Sequence, residues 1–390
     1  MSVAEPTHVS PSPSAGERVG ERGRTFFFTS GVAALSITLA TVGSLLFPPK
    51  VALPPDAPDL APLEAMIRWD AGWYGAIATD GYWYTPGQQS PVAFFPLYPL
   101  AIRAVAFLGV NKWLAASLIS LLCALAGITL FARWARQVSP TNAVAAVALL
   151  TLYPFAEYLY GVVYSDAMFL LFAVGAFMSL EKGKPWLAAI LGAFATGCRP
   201  VAPAIVLGLL ARSIELRRRS GLPIRFVDLL PALSGVGMAA YMAYLQFKFG
   251  DALAFAHVQA APGWDQPPGW ETWLKLPWFR TMFPRVAPLV AIRLGGHALV
   301  TMLALIGAGL TFKRLGWGYG VYCALVVGIP AVSSKDFQGL GRYVIAAFPL
   351  FLTLAFLLAE KPLLRRAVLV LFGVLLATLA FALGAGGYVA

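Results

Sequence analysis

Charge is scarce in this chain. Only 12% of its 390 residues are Asp, Glu, Lys or Arg, while 59% are hydrophobic; a soluble globular domain is about a quarter charged. That shortage excludes an ordinary water-soluble fold and points to an integral membrane protein. Cysteine is scarce too. Cys123, Cys198 and Cys323 stand singly among apolar residues, an odd count without paired spacing, so they give neither a disulfide framework nor a metal signature and read as packing residues. There are three histidines, no H-E-x-x-H and no P-loop, and "GLGRYV" lacks the spacing of a dinucleotide fingerprint. No internal repeat is visible. That absence weighs against a transporter built from symmetry-related halves.

What is abundant is apolar sequence. Runs of about 18 residues or more recur along the length, as membrane-spanning helices require. The first, residues 25–47, is too long for a signal-peptide core and is followed by no small-residue cleavage motif, so it is expected to be a retained span. Residues 1–24, rich in Ser, Pro, Gly and Arg, are expected to form a disordered cytoplasmic tail, leaving 25–390 as one membrane domain.

The net charge of +11 would suggest nucleic acid in a soluble protein. Here the positive residues gather in short connections, such as Arg133/Arg136, Lys182/Lys184, Arg217/Arg218/Arg219 and Lys313/Arg314. The positive-inside rule accounts for them without a nucleic-acid partner. It also puts residues 48–90 (a long first loop), the turn at 160–166, the segment 248–285 and residues 333–343 on the extracytoplasmic side. Two places resist a simple count of crossings. Residues 91–110 contain "FFPLYP", whose prolines interrupt helical hydrogen bonding, so this run is expected to lie along the outer surface or to re-enter. Residues 186–213 are expected to form two short helices meeting at an apex near "GCRP", which carries Arg199. An arginine inside a membrane domain is a functional candidate by default. The fold class is therefore an all-α polytopic membrane protein of roughly ten to twelve hydrophobic segments.

One stretch stands out between these runs. "RWDAGWYGAIATDGYWY", residues 68–84, holds six aromatic residues, two aspartates and an arginine. Residues 71–79 have the length of a short helix with Asp70 before it and Asp80-Gly81 ending it. Helical spacing places Trp69, Trp73 and Ile77 on one face and Asp70, Tyr74 and Ala78 on the next. Two readings fit. An interfacial helix uses Trp and Tyr at the membrane boundary and Asp as its N-cap. A long loop that is too aromatic to be disordered is otherwise functional.

This stretch, followed by "VAFFPLYPLAIR", resembles the signature of the PIG-V mannosyltransferases and their prokaryotic relatives. "YSDAMFLLFA" (164–173) is similar to that family's Tyr-Ser-Glu segment, with Asp166 in place of Glu. "GCRPVA", "FKFGDALAF" and "GLGRYVIAAFPLFLTLA" resemble its later blocks, in the family's order over residues 67–355. The resemblance implies a GT-C-type glycosyltransferase, a multi-span enzyme that takes a sugar from a polyprenyl-phosphate carrier on the outer face. It also implies that the catalytic carboxylate stands in the first outer loop, which by position is Asp70.

The chemistry agrees with that placement. An acceptor hydroxyl needs a positioned base. A lipid-phosphate leaving group needs cations rather than a general acid, whereas a glycosidase would want a carboxylate pair. Asp70 is the expected base of an inverting displacement that moves a hexose, mannose on the resemblance, to a lipid or envelope-glycan acceptor. Arg199 and Arg342 are the expected phosphate ligands, with Lys335 a further candidate. Trp69, Trp73, Tyr74, Tyr164, Asp166 and Tyr343 are expected around the sugar or acceptor. Each has a plainer role. Arg342 would snorkel at a helix start, Arg199 would form a structural salt bridge to Asp166, and Asp80 would be a turn residue. No metal is required by the spacing, although Asp70, Asp80 and Asp166 would make an oxygen-rich site if they converged on Mg²⁺ or Mn²⁺. His257 is expected to be interfacial and His297 a tolerated polar group in a helix. The competing functions are a lipid transporter or flippase and a non-catalytic glycolipid-binding relative. The Ala- and Arg-rich composition fits a bacterial cytoplasmic membrane.

Overall fold

The computed structural model describes residues 15–47, 53–283 and 287–389, and of residues 15–22 the backbone alone. Among the described residues all regular structure is helical. The chain opens with α1 (Ala15–Leu46) and continues through two short helices, α2 (Ala61–Met66) and α3 (Ala71–Asp80), in the first loop. Next come α4 (Leu97–Ala106), α5 (Lys112–Val138), α6 (Pro140–Thr151) and α7 (Asp166–Glu181). A broken pair follows, α8 (Pro185–Thr196) and α9 (Ala202–Arg219), and then α10 (Val236–Phe249), entered through a 3₁₀ segment. The second loop holds α11 (Ala254–His257), α12 (Trp270–Trp273) and α13 (Leu276–Met282). The last five are α14 (Pro288–Arg314), α15 (Trp317–Ser333), α16 (Leu340–Tyr343), α17 (Pro349–Leu357) and α18 (Pro362–Gly384).

Among the described residues five stretches are long and apolar enough to cross a membrane: 23–46, 112–138, 226–249, 288–314 and 362–384. The segments Leu340–Ala346 and Pro349–Leu357 form a pair bent by 90°, and four shorter apolar helices, α4, α6, α8 and α15, complete the set. The molecule is a multi-pass membrane protein. Residues 15–24 correct the expected tail: they are helical and continuous with the first span, with no proline to interrupt them and with Glu17, Arg18 and Glu21 as good helix formers set against the poor ones Gly16, Gly20 and Gly23. Residues 1–14 lie outside the described residues.

The centre of the bundle is α7. It is apolar on every side and buried along nearly its whole length, as a helix wrapped by others must be. It packs against α5, α8 and α9, and α15 lies against α9. At its C-terminal end Glu181 accepts hydrogen bonds from Arg212 and from the Tyr319 hydroxyl, which itself accepts one from Trp134. Glu215, almost fully buried, is held by Arg212, Arg219 and the first amides of α15, those of Trp317 and Gly318. The candidate site lies at the other end of α7, about 24 Å away for a 16-residue helix.

Two junctions shape that end. α1 and α18 run in backbone contact: a Cβ at Gly384 would fall 1.8 Å from the Ala40 carbonyl oxygen, and one at Gly43 2.2 Å from that of Phe381. The α8–α9 break, residues 197–201, is clamped by a hydrogen bond from the Leu97 amide to the Gly197 carbonyl (3.0 Å) and by one from Thr196 to the Ser234 carbonyl (2.6 Å). The two short helices expected around "GCRP" are therefore present, with Arg199 in the break. α4, ten residues and about 15 Å long, is too short to cross and lies on α3 and α5, as the prolines of "FFPLYP" indicate.

Candidate active site

The chain enters the site through Arg68, which is buried and spends its guanidinium on structure. It donates to Ser44 Oγ (3.0 Å) and to the carbonyls of Gly384 (3.0 Å) and Ile67 (3.1 Å), tying α1, the first loop and the end of α18 together. Trp69 follows with φ of +53°, a left-handed conformation costly for a bulky residue. Its ring meets Tyr388 edge-on at 4.8 Å, and its Nε1–H donates to the Gly387 carbonyl at 3.2 Å. This reversal delivers Asp70 to the start of α3.

Asp70 occupies the N-cap position without capping. Its backbone is helical (φ −66°, ψ −10°), and its carboxylate accepts no hydrogen bond from the helix amides. Its own amide donates to the Tyr164 hydroxyl at 3.1 Å. One turn on, Tyr74 is buried with its hydroxyl 3.1 Å from Ser165 Oγ. Tyr74 and Tyr164, expected at the sugar, are thus committed to holding α3 against the start of α7. The Asp70/Tyr74/Ala78 face, the acidic and phenolic one, turns into the protein: Tyr74 and Ala78 are buried, as is Ile77, because α3 lies on Trp113 and Tyr98 rather than on lipid. Arg103 caps the other end of α3, donating to the carbonyls of Ala78 (2.7 Å) and Thr79 (3.0 Å), and Gly81 at φ +82° terminates it.

Asp166, the first residue of α7, forms a buried ion pair with Arg199. The Arg199 guanidinium also sits 4.4 Å over the Tyr343 ring. The structural salt bridge is therefore the role in which Arg199 is seen. Arg342 lies beyond it, with Nε 3.7 Å from Asp166, and is stacked on Tyr164 (4.8 Å) and Tyr158 (5.1 Å). That Nε is buried and finds no hydrogen-bond acceptor among the described residues. His297 accepts from the Gly341 amide at 3.2 Å and stacks on Phe155, fixing the backbone beside Arg342; it does more than fill a helix.

Asp70 faces a cavity of about 1520 Å³, larger than the ~300–1,000 Å³ of most small-ligand sites. Trp69, Trp73, Trp264 and Tyr388 give it aromatic walls, Gln89 and Gln338 polar ones, and Leu46, Phe47 and Leu53 an apolar flank. Burial holds the Asp70 carboxyl above the usual carboxylate range; Arg342 and Arg199 pull against this, and Asp166 reinforces it. The acidic group and the arginine pair are thus within electrostatic reach of one another.

Other expected residues stand apart. Lys335 pairs with Asp265 at 3.3 Å, and its amide donates to the Gln266 side chain, which joins the two loops rather than the site. Asp80 is exposed at the far end of α3. Asp70, Asp80 and Asp166 do not converge on one point, and among the described residues no three His, Cys, Asp or Glu side chains gather as a metal site. Sequence reasoning missed Arg293 and Tyr388, which line the cavity. It also missed Glu157, a buried carboxylate with no hydrogen-bond partner among the described residues. Arginine in the first turns of a span was the available signal for Arg293. A lone tyrosine after a glycine-rich turn gave none.

Known proteins share parts of this chain's sequence and outline. Residues 39–213 match the family model for mannosyltransferase (PIG-V). Over 149 residues the chain is 32% identical to GPI alpha-1,6-mannosyltransferase 2 of Cricetulus griseus, covering 35% of this chain and 29% of that protein. Among solved structures it is similar to the Archaeoglobus fulgidus oligosaccharyltransferase tethered with an acceptor peptide (14% identity, TM-score 0.47). It is also similar to AglB from the same organism in complex with an inhibitory peptide and a dolichol-phosphate (12% identity, TM-score 0.46). In both cases 93% of this chain is covered and 56% of the other, so the chain spans about half the length of these structures and under a third of the curated relative. Asp70, Asp166 and Arg199 therefore all fall within the stretch that matches the mannosyltransferase (PIG-V) model.

Proposed function

We propose that the chain is a GT-C-type membrane glycosyltransferase that moves a mannosyl group from a polyprenyl-phosphate donor to a hydroxyl of a lipid or envelope-glycan acceptor. The observation that carries the reading is Asp70: a carboxylate at a helix start that is not spent on a cap and faces a large aromatic cavity beside two arginines. In this reading the acceptor O–H gives its proton to Asp70 as its oxygen bonds to the anomeric carbon. The bond from that carbon to the phosphate oxygen breaks on the opposite side, and the polyprenyl phosphate leaves with the electron pair. The product is inverted. The negative charge of the leaving phosphate develops toward Arg342, whose Nε supplies a donor, while Asp166, itself paired with Arg199, holds Arg342 in place. Trp69, Trp73 and Trp264 supply ring faces for the sugar, and Tyr343 supports both arginines.

In this reading the site lies on the extracytoplasmic face of the membrane. What supports this is the cluster Arg217, Arg218 and Arg219 at the end of α9, away from the break that carries Arg199.

Purified chain in nanodiscs, given labelled polyprenyl-phosphate-mannose and a membrane lipid extract, should transfer label. Asp70→Asn should lose roughly 10²–10⁴-fold in rate, the usual contribution of a general base, with an unchanged thermal midpoint. Wild-type turnover by that variant would remove Asp70 from the mechanism. Flux of the labelled lipid without chemical change would instead indicate a flippase.

A further inference from the structure

The arginines named so far are largely committed: Arg199 to Asp166, Arg342 beside it, and Arg68 to Ser44 and backbone carbonyls. Arg293 differs. It stands in the second turn of α14 and lines the same cavity as Asp70. It forms no ion pair with a carboxylate among the described residues. One N–H donates to the Tyr388 carbonyl at 3.2 Å, and the guanidinium lies 5.8 Å from the Tyr388 ring. Its Nε is buried and meets no acceptor among the described residues. The turn after α18 thus holds a cation at the cavity that has no counter-ion among those residues. A half-buried guanidinium in that state is costly until an anion arrives, and its fork of donors matches phosphate oxygens.

The rest of the cavity says what carries the anion. Leu46, Phe47 and Leu53, at the end of α1 and the start of the first loop, give it an apolar flank. An anionic head beside an apolar tail is a lipid phosphate. We infer that Arg293, held by Tyr388, binds the phosphate of a lipid ligand in the Asp70 cavity. The inference deepens the transferase reading, on which it rests for the ligand class, and adds a second cationic contact separate from the Asp166 cluster. Two lipids share this chemistry, the prenyl monophosphate of the donor and the phosphodiester of a phospholipid-anchored acceptor.

The test is binding without turnover. Full-length chain in phosphatidylcholine nanodiscs is titrated with farnesyl phosphate, with farnesol as the uncharged control, and with dihexanoyl-phosphatidylinositol. The readout is the fluorescence of the cavity tryptophans. Arg293→Gln should raise the Kd for farnesyl phosphate about tenfold or more, the scale of one charge-assisted hydrogen bond, and leave farnesol unchanged. Arg293→Lys keeps the charge and should fall between, which separates loss of the contact from loss of the fold. A rise confined to the phosphatidylinositol arm keeps the lipid-phosphate site and assigns it to the acceptor. Wild-type Kd values for both phosphates in Arg293→Gln, or no phosphate binding by the wild type, overturn it. Arg293-dependent binding in a chain that transfers no mannose would sink the transferase reading and leave this site standing.

Discussion

Asp70 shows how one residue's role turns on what its side chain is not doing. An aspartate before a helix ordinarily accepts hydrogen bonds from the first amides; this one does not, and its own amide is bound to the Tyr164 hydroxyl instead. Its place at the start of a helix over 71–79 was legible in the sequence, but whether its carboxylate was spent on capping lay in a backbone angle no pattern encodes. A base acts only when ionised. Since burial raises this carboxyl, kcat/KM should fall on the acid side with an apparent pKa above the ordinary carboxylate value of about 4. Arg342 opposes that rise, so Arg342→Gln should move the limb to still higher pH. A pH–rate profile checks both, and an acid limb at or below the ordinary value would contradict the assignment. Arg199 and Lys335 show the limits of composition. Both are cations near aromatic loops, yet one is paired with Asp166 and the other with Asp265, and only coordinates show that Arg342, also within 3.7 Å of Asp166, keeps an Nε without a hydrogen-bond acceptor among the described residues.

At the level of elements, proline and glycine carried most of what could be read in advance. The prolines of "FFPLYP" mark the short α4, and "GCRP" marks the α8–α9 break. Hidden from any local pattern was the junction of α18 with the first loop, where Trp69 meets Gly387 across 318 residues of sequence. That junction depends on two helices in backbone contact, a geometry small residues permit. Gly384→Val would put a carbon 1.8 Å from the Ala40 carbonyl oxygen and force α1 and α18 apart. The expected loss of stability is about 3 kcal/mol, at the upper end for overpacking. A fall in the thermal midpoint in detergent reads it, together with reduced activity, since Arg68 would lose the Gly384 carbonyl. A Gly384→Val protein as stable as the wild type would show that the contact is not required.

For the whole molecule, the arrangement is a division of ends. One end of α7 is closed by a network in which Glu181 and Glu215 are each met by arginine and by further donors. The other presents Asp70 uncapped and Arg293, with a buried donor unmet among the described residues, on a cavity with aromatic and apolar walls, and Arg342, its Nε likewise without a hydrogen-bond acceptor there, beside Asp166. Hydropathy and the scarcity of charge made the membrane class legible. The cavity itself was not legible, since it is assembled from α1, the first loop, the second loop, α14 and the turn after α18. The central claim is that this one cavity holds the sugar between the residue 70 side chain and a lipid phosphate. The most direct measurement is an electron cryomicroscopy structure of the Asp70→Asn variant with polyprenyl-phosphate-mannose. The account predicts the sugar against the side chain at position 70 and the phosphate on Arg342 or Arg293, with the prenyl chain leaving past Phe47; a donor seated elsewhere, with position 70 out of reach of its sugar, would contradict it.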